Sequence, residues 1–374
     1  MERSDTGGAA VRDELHEWLS RHASDLERIR VDGGTFEDRL AWTRTLAEHG
    51  WTCVGWPTEH GGRGLSLGDQ VAFYEEYARS GAPESVNHLG EKLLGPTLIE
   101  FGTPAQQERF LPTIRSADEL WCQGYSEPGA GSDLANVQTK ARLDGSTWVL
   151  DGQKVWTSNA HESDWIFVLA RTEPGSQRHH GLSFLLVPMD QDGIEVRPIR
   201  QLTGESEFNE VFFDAARTDT DLVVGEPGDG WRVAMALLGF ERGVSTLADQ
   251  VRFARELDHL VARAQDNGRY DDPLIRDRLA RARVDLEVMW LNAVRGTHPS
   301  VAKLVWAHWH RDLGELAMDV AGPEGLLTGP DYALDEQQRL FLFSRADTIY
   351  GGSDEVQRNI LAEQVLGLPR EARP

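Results

Sequence analysis

The residue in this chain best placed to move a proton is Glu241. In "MALLGFERGVSTLADQ", Leu237, Glu241, Val244, Ala248 and Val251 fall at i, i+4, i+7, i+11 and i+14. On a helix that spacing puts Glu241 on the apolar stripe. Its neighbours one turn away are Leu237, Leu238, Val244 and Ser245, and none is cationic. Arg242 is adjacent in sequence and faces elsewhere. A carboxylate on an apolar face without a local partner has a raised pKa, which suits a general base working near neutral pH. The alternative is a structural ion pair with a distant arginine, which also perturbs titration.

Three glycine-bearing stretches could form walls around such a base. "SEPGAGSD" at 126–133 follows a predicted strand with a proline, two glycines and small hydroxyl residues. It can offer backbone N–H groups to an anion or a planar ring, or serve as a surface turn. "GQKVWTSNA" at 152–160 sets the flat ring of Trp156 beside the hydroxyls of Thr157 and Ser158. Ring plus donors suits an isoalloxazine edge, and a packed core tryptophan is the other reading. "IYGGSDEVQR" at 349–358 runs Tyr350 into Gly351 and Gly352 and then opens a helix. Two adjacent glycines let the backbone turn sharply and approach a ligand closely. "AGPEGLLTG" at 321–329 reads as a turn between helices that could also contact an adenosine.

Other chemistries are disfavoured. Phosphate-loop and dinucleotide glycine patterns are not matched. The pairs His179-His180 and His308/His310 lack a matching Glu/Cys set, so no metal site is expected. Cys53 and Cys122 are far apart and read as reduced and packed. A net charge of −23 disfavours nucleic-acid binding. The N-terminus shows no signal-peptide pattern and no run reaches membrane-spanning length. The expected compartment is the cytoplasm.

The elements that must position these stretches come in three blocks over 374 residues. Residues 11–120 read mostly as helices. They include "FEDRLAWTRTLAEHGW", ended by His49-Gly50, a second helix stopped by Gly81, and one capped by Thr103 before Pro104. From Trp121 the period shortens to that of strands, with turn signals at Asp144-Gly145 and Asp151-Gly152. Their spacing suits a small barrel or sandwich. Helical periodicity then returns, with one long helix over 231–266 and further helices over 273–296, 299–321 and 335–346.

In this order, "WPTEHGGRGLS", "CQGYSEPGAGSD", "GQKVWTSNA", "RQLTGESEFNEVFF", "GFERG" and "IYGGSDEVQRNILAEQVLGLP" resemble the acyl-CoA dehydrogenase family over nearly the whole chain. The resemblance implies an α+β fold: an N-terminal helical domain (1–120), a middle β-barrel (121–230) and a C-terminal four-helix bundle (231–374). It implies FAD, a homotetramer or homodimer, and α,β-desaturation of an acyl thioester, with electrons passed to an electron-transferring flavoprotein. Carried over by position, Gln123, Tyr125, Ser126, Gly131 and Ser132 would line flavin and thioester, and Trp156 and Ser158 would flank the isoalloxazine. Gly322, Tyr350, Ser353 and Glu355 would lie on the cofactor side. Ser132, Arg242, Tyr350 and Gly351 would meet the substrate. An enolate oxygen would be stabilised by a ribityl hydroxyl and a backbone N–H. The family places its base either in the loop after the tyrosine, here Gly351, or on the long helix, here Glu241. Gly351 is then glycine because Glu241 needs the space.

Two positions depart from the family pattern. Where many relatives carry an Arg-x-x-Phe-Gly segment that reaches a neighbouring subunit's FAD, this chain reads "AQDNGRYDDPLIRDR". Where many carry glutamine before the glycine-rich turn, it has Asp319. Some bacterial relatives form heterotetramers whose two subunit types share or divide the FAD sites, and these departures fit that type. Within the same resemblance, the acyl carrier could be an acyl- or peptidyl-carrier protein rather than CoA. The enzyme could be a flavin oxidase or monooxygenase, or the chain a partner subunit without its own activity.

Overall fold

A computed structural model describes residues 8–32, 34–241 and 245–369. They pack as two compact units. One holds the described residues up to 201 and 206–241, the other 202–205 and 245–369.

The first unit opens with helices α1 (Ala9–Arg21), α2 (Ala23–Asp32), α3 (Phe36–Glu48), α4 (Leu67–Ser80), α5 (Gly95–Phe101) and α6 (Pro104–Ser116). Their ends are set by local chemistry. Thr35 with Asp38, and Thr103 with Gln106, form reciprocal capping boxes. Gly81 closes α4 in the left-handed region at φ 73°. Trp18, Trp42, Trp51 and Phe73 form one aromatic core among α1, α3 and α4. Leu94, Leu98, Phe110 and Ile114 pack instead onto Trp121, Phe167 and Phe184 from the strands and onto Val233 and Leu237 from α7 (Gly230–Glu241).

The strands are β1 (Trp121–Gly124), β2 (Lys140–Asp144), β3 (Thr147–Ser158), β4 (Trp165–Arg171), β5 (Leu182–Pro188), β6 (Ile194–Pro198), β7 (Phe208–Asp219) and β8 (Val223–Val224). They form one eight-stranded sheet in the order β6-β7-β3-β2-β4-β5-β8, with β1 parallel to β4. Thr218 Oγ1 on β7 donates to Leu186 O on β5 at 2.5 Å, so strands distant along that path meet as the sheet curls.

Asp144-Gly145 makes the β2–β3 hairpin turn, with Gly145 at φ 66°. Asp151-Gly152, expected as a second turn, lies instead within β3. There two steps of β3, Leu150 to Gly152, pair with three of β7, Ala216 to Phe213. This is a bulge in β7, where Ala215 takes φ 56°. Further on, three steps of β3, Lys154 to Thr157, pair with two of β7, Val211 to Asn209. The second bulge therefore lies in β3. Gly152 is needed where it stands, since a Cβ would fall 2.7 Å from Thr139 Cα.

The second unit contains α8 (Ser245–Asp266), α9 (Pro273–Val294), α10 (Pro299–Ala321), α11 (Glu336–Phe343) and α12 (Asp354–Ile360). Its core gathers Phe253, Leu257 and Leu260 from α8, Leu279 and Leu286 from α9, and Leu313 and Leu316 from α10. The long helix expected over 231–266 is seen as α7 and α8 on either side of residues 242–244, which lie outside the described residues. The helical, sheet and helical order read from the sequence is present. No helix among the described residues is long and apolar enough to cross a membrane.

Candidate active site

In the first unit one backbone bond brings two of the glycine-bearing stretches together. Val155 N–H donates to Ser126 O at 2.9 Å, placing "GQKVWTSNA" beside "SEPGAGSD". The latter loop is pinched shut by Glu127 and Ala130, whose backbones exchange hydrogen bonds at 3.0 and 3.1 Å. Glu127 and Ala130 point inward, while Pro128, Gly129, Gly131 and Ser132 are exposed. Gly129 and Gly131 have ordinary φ values, and a Cβ on either would meet no atom within 4 Å. The chain's own packing does not require glycine at either position, which fits a surface kept bare for a close-lying ligand.

Beneath the loop is a buried ion pair absent from the sequence-based candidates. Lys154 is 0% exposed, and its ammonium donates to Glu127 Oε1 at 2.8 Å, Leu169 O at 2.8 Å and Tyr125 O at 3.0 Å. Glu127 also accepts from the backbone N–H groups of Gln138 and Thr139, at 2.6 and 2.9 Å. Burial pulls the Lys154 pKa down to about 8 against the opposing pull of Glu127. For Glu127, burial raises the pKa, but the Lys154 charge and the hydrogen bonds outweigh it and hold the carboxyl below its ordinary value. All donors and acceptors of the pair are thus engaged in holding the loop. The sequence signal was a lone lysine and a lone glutamate inside the two motifs themselves.

Trp156 is not a core residue. It sits in the β3 bulge at φ 62°, is 59% exposed, and meets Phe208 edge-on at 6.2 Å. A large side chain in the left-handed region is costly, and such strain is concentrated at functional sites. Thr157 is buried and Ser158 half-buried beside it. Thr157 Oγ1 and Gln123 Nε2 are buried without a hydrogen-bond partner among the described residues. A bare ring next in sequence to one unmatched buried hydroxyl, with a second unmatched polar atom on β1, fits a planar heteroaromatic with hydrogen-bonding edges such as FAD carries. Tyr125, expected to line the cofactor, lies deeper: its ring is 5% exposed and packs edge-on against Phe167 and Phe184.

Glu241 closes α7, and its side chain lies outside the described residues, as does Arg242 altogether. The remaining expected residues belong to the second unit. Gly322 ends α10 at φ 63°, under the Arg269 guanidinium. Asp319 pairs with Arg278 of α9. Tyr350 is 41% exposed, and its hydroxyl donates to Asp347 at 2.7 Å. Gly351 and Gly352 have φ of 62° and 88°. Gly351 therefore has a backbone reason to be glycine, independent of any space Glu241 requires. Ser353 caps α12, and Glu355 lies in its first turn. The Glu355 carboxyl is held below its usual range by its own backbone N–H and the Ser353 hydroxyl. Both serve the helix start.

Residues 8–118, 122–216 and 228–366 match the N-terminal, middle and C-terminal domains of acyl-CoA dehydrogenases. The chain is 62% identical over 378 residues to "Acyl-CoA dehydrogenase IpdE1" of Mycobacterium tuberculosis, covering 97% of this chain and 98% of that one. Among solved structures, "Tcur3481-Tcur3483 steroid ACAD" superposes with TM-score 0.86 at 31% identity, over 99% of this chain and 100% of that one. The ChsE4-ChsE5 complex from Mycobacterium tuberculosis does so with TM-score 0.85 at 30% identity, over the whole of both chains. The chain belongs to the acyl-CoA dehydrogenase family, whose members are FAD-dependent oxidoreductases.

Proposed function

We propose that the chain desaturates an acyl-CoA thioester between its α and β carbons, with Glu241 removing the α-proton. The observation that carries this reading is the bulged strand of the first unit, where exposed Trp156 and unmatched Thr157 follow the backbone bond that joins Val155 to the "SEPGAGSD" loop. FAD, when bound, supplies the hydride acceptor. Trp156 offers its face to the ring system, and Gln123, Thr157 and Ser158 offer hydrogen bonds to its edge. Ser126, Gly131 and Ser132 present the loop backbone and hydroxyls to cofactor and thioester. Lys154 and Glu127 keep that loop in one geometry, which a positioned reaction requires. Tyr350 and Gly351 form a wall for the substrate. Arg242 serves the nucleotide end, and Gly322, Ser353 and Glu355 the cofactor side. Glu241 takes the proton, and the apolar spacing of its neighbours in the sequence favours a carboxylate more basic than in water.

A solved neighbour described as a steroid ACAD supports a bulky polycyclic acyl group. Two neighbours carry two-chain names, which supports assembly with a second, different chain. That fits the replaced Arg-x-x-Phe-Gly segment. Here Asn267 turns back to donate to Val320 O at 2.9 Å. An electron-transferring flavoprotein is the electron acceptor of this reading.

The test is flavin bleaching by a panel of short, branched, long and steroid-side-chain acyl-CoA thioesters. The purified protein, alone and with its partner chain, is expected to lose flavin absorbance with at least one of them. Glu241→Gln is expected to keep FAD and abolish the bleaching. Normal reduction of that variant would overturn the assignment of the base.

A further inference from the structure

The second unit contains a buried chain of polar groups that the proposed chemistry leaves unused. His310 on α10 is buried with both ring nitrogens on carboxylates. Nδ1 lies 2.6 Å from Asp347 Oδ2, and Nε2 lies 2.8 Å from Glu256 Oε2 on α8. Phe253 covers the imidazole at 4.6 Å. The side chain of Asp347 is 1% exposed and receives the Tyr350 hydroxyl on its other oxygen. Its carbonyl accepts from Lys303 Nζ at 2.5 Å, and that ammonium lies 4.6 Å over the Tyr350 ring. Arg252 and Asp249 on α8 are the other charges felt by the phenol. Beyond the tyrosine, buried Gln357 donates to Gly351 O at 3.0 Å and Gly352 O at 3.3 Å.

Charge fixes the direction of these bonds. Burial lowers the His310 pKa, but the hydrogen bonds and charges of Asp347 and Glu256 outweigh it and raise it to about 9. The ring is therefore cationic at neutral pH and donates to both carboxylates. Burial, and then the charge and hydrogen bond of Asp347, push the Tyr350 phenol upward, so it keeps its proton and donates it to Asp347. The hydroxyl is committed to Asp347, while the residue as a whole is 41% exposed. A buried ionic cluster is a weak source of stability compared with apolar packing. Its worth at the foot of a half-exposed tyrosine is orientation.

We propose that Asp347 and His310 are positioning residues, which fix the Tyr350 ring, and with it the Gly351-Gly352 turn, as a rigid wall of the thioester site. This rests on the reading of Tyr350 as substrate-facing. The side chains come from three separate stretches of the unit, α8, α10 and the 347–350 segment. Rotation of the ring requires breaking a charge-assisted bond. An amide at 347 would replace the charge-assisted bond with a neutral one and loosen the hold on the hydroxyl.

The experiment measures kcat and KM of the FAD-loaded protein with the best thioester of the panel, for Tyr350→Ala, Tyr350→Phe, Asp347→Asn and the Tyr350→Phe/Asp347→Asn double variant. Tyr350→Phe and Asp347→Asn are each expected to raise KM about tenfold and to change kcat by less than about threefold. The double variant is expected to lose less than the product of the singles, because both act on the Tyr350–Asp347 bond, while Asp347→Asn also weakens the His310 contact. Tyr350→Phe removes only a hydroxyl, so it carries the test even if Asp347→Asn fails to fold. An unchanged KM in Tyr350→Phe, or multiplicative losses in the double variant, would overturn the proposal. If Tyr350→Ala also leaves KM unchanged, the reading of Tyr350 as substrate-facing fails. If Tyr350→Ala alone raises it, only the positioning role fails.

Discussion

Removing the ammonium of Lys154 tests whether the buried pair holds the "SEPGAGSD" loop. Lys154→Met keeps the side-chain length and deletes three donated bonds, to Glu127, Tyr125 O and Leu169 O. It leaves the Glu127 carboxylate buried with the hydrogen bonds of Gln138 and Thr139 but without the ammonium. Breaking one side of such a pair costs about 3–5 kcal/mol, and each orphaned carbonyl adds about 1 kcal/mol where the backbone cannot reach water. Allowing for relaxation, a loss of about 4 kcal/mol is expected. For a unit of this size that lowers Tm by roughly 10 °C. Replacing both partners, as in Lys154→Met/Glu127→Leu, removes the stranded charge, so its cost should fall below the sum of the singles. The assay is urea and thermal unfolding followed by circular dichroism, with FAD content read from the visible spectrum. A Lys154→Met protein within about 1 kcal/mol of the parent, or single costs that simply add, would refute the account of the pair.

Trp156→Gly is expected to relieve the left-handed strain at φ 62° and stabilise the FAD-free protein by about 1 kcal/mol. The same change should weaken FAD binding about tenfold, at the ~1.4 kcal/mol scale of one partly buried aromatic contact. Differential scanning calorimetry and fluorescence titration read the two effects, and a destabilised FAD-free protein would contradict the strain argument. For His310 the folded pKa of about 9 lies above the ordinary value of 6.5. Its contribution, about 3 kcal/mol by linkage, is complete below pH ~6.5 and is lost as pH rises through about 9. The stability difference between the parent and His310→Gln should therefore narrow across that window. A difference that stays flat would show that the ring is not charged in the folded chain.

What could be read in advance was what neighbouring residues decide. The Thr103-Pro104 start of α6, the Gly81 stop of α4 and the Asp144-Gly145 turn depend on a few adjacent side chains, and each forms as its sequence suggests. The Asp151-Gly152 pair has the same composition as a turn, but its fate was set by Thr139 and by β7, sixty residues on. Trp156 was ambiguous for the same reason. Its exposure follows from a bulge, and a bulge is a property of two strands. Likewise His310 looked idle because its partners, Glu256 and Asp347, lie 54 and 37 residues away. Motif resemblance located the loops. The ion pair and the imidazole clamp that hold them depend on contacts that no local pattern encodes.

The two bulges between β3 and β7 have a hereditary consequence. One adds a residue to β7 and the other adds one to β3, so the strands return to their starting register: Thr147 faces Asp219 at one end and Ser158 faces Phe208 at the other. Only the rungs from Gly152 to Lys154 are displaced. Deleting one residue at either bulge would leave a mismatch that the rest of the ribbon must absorb by sliding, which turns side chains to the opposite face. Deleting one at each would restore the pairing and erase the kink that exposes Trp156. Removing the kink while keeping the register therefore takes paired length changes in distant codons. Neither change alone leaves both the register and the kink intact.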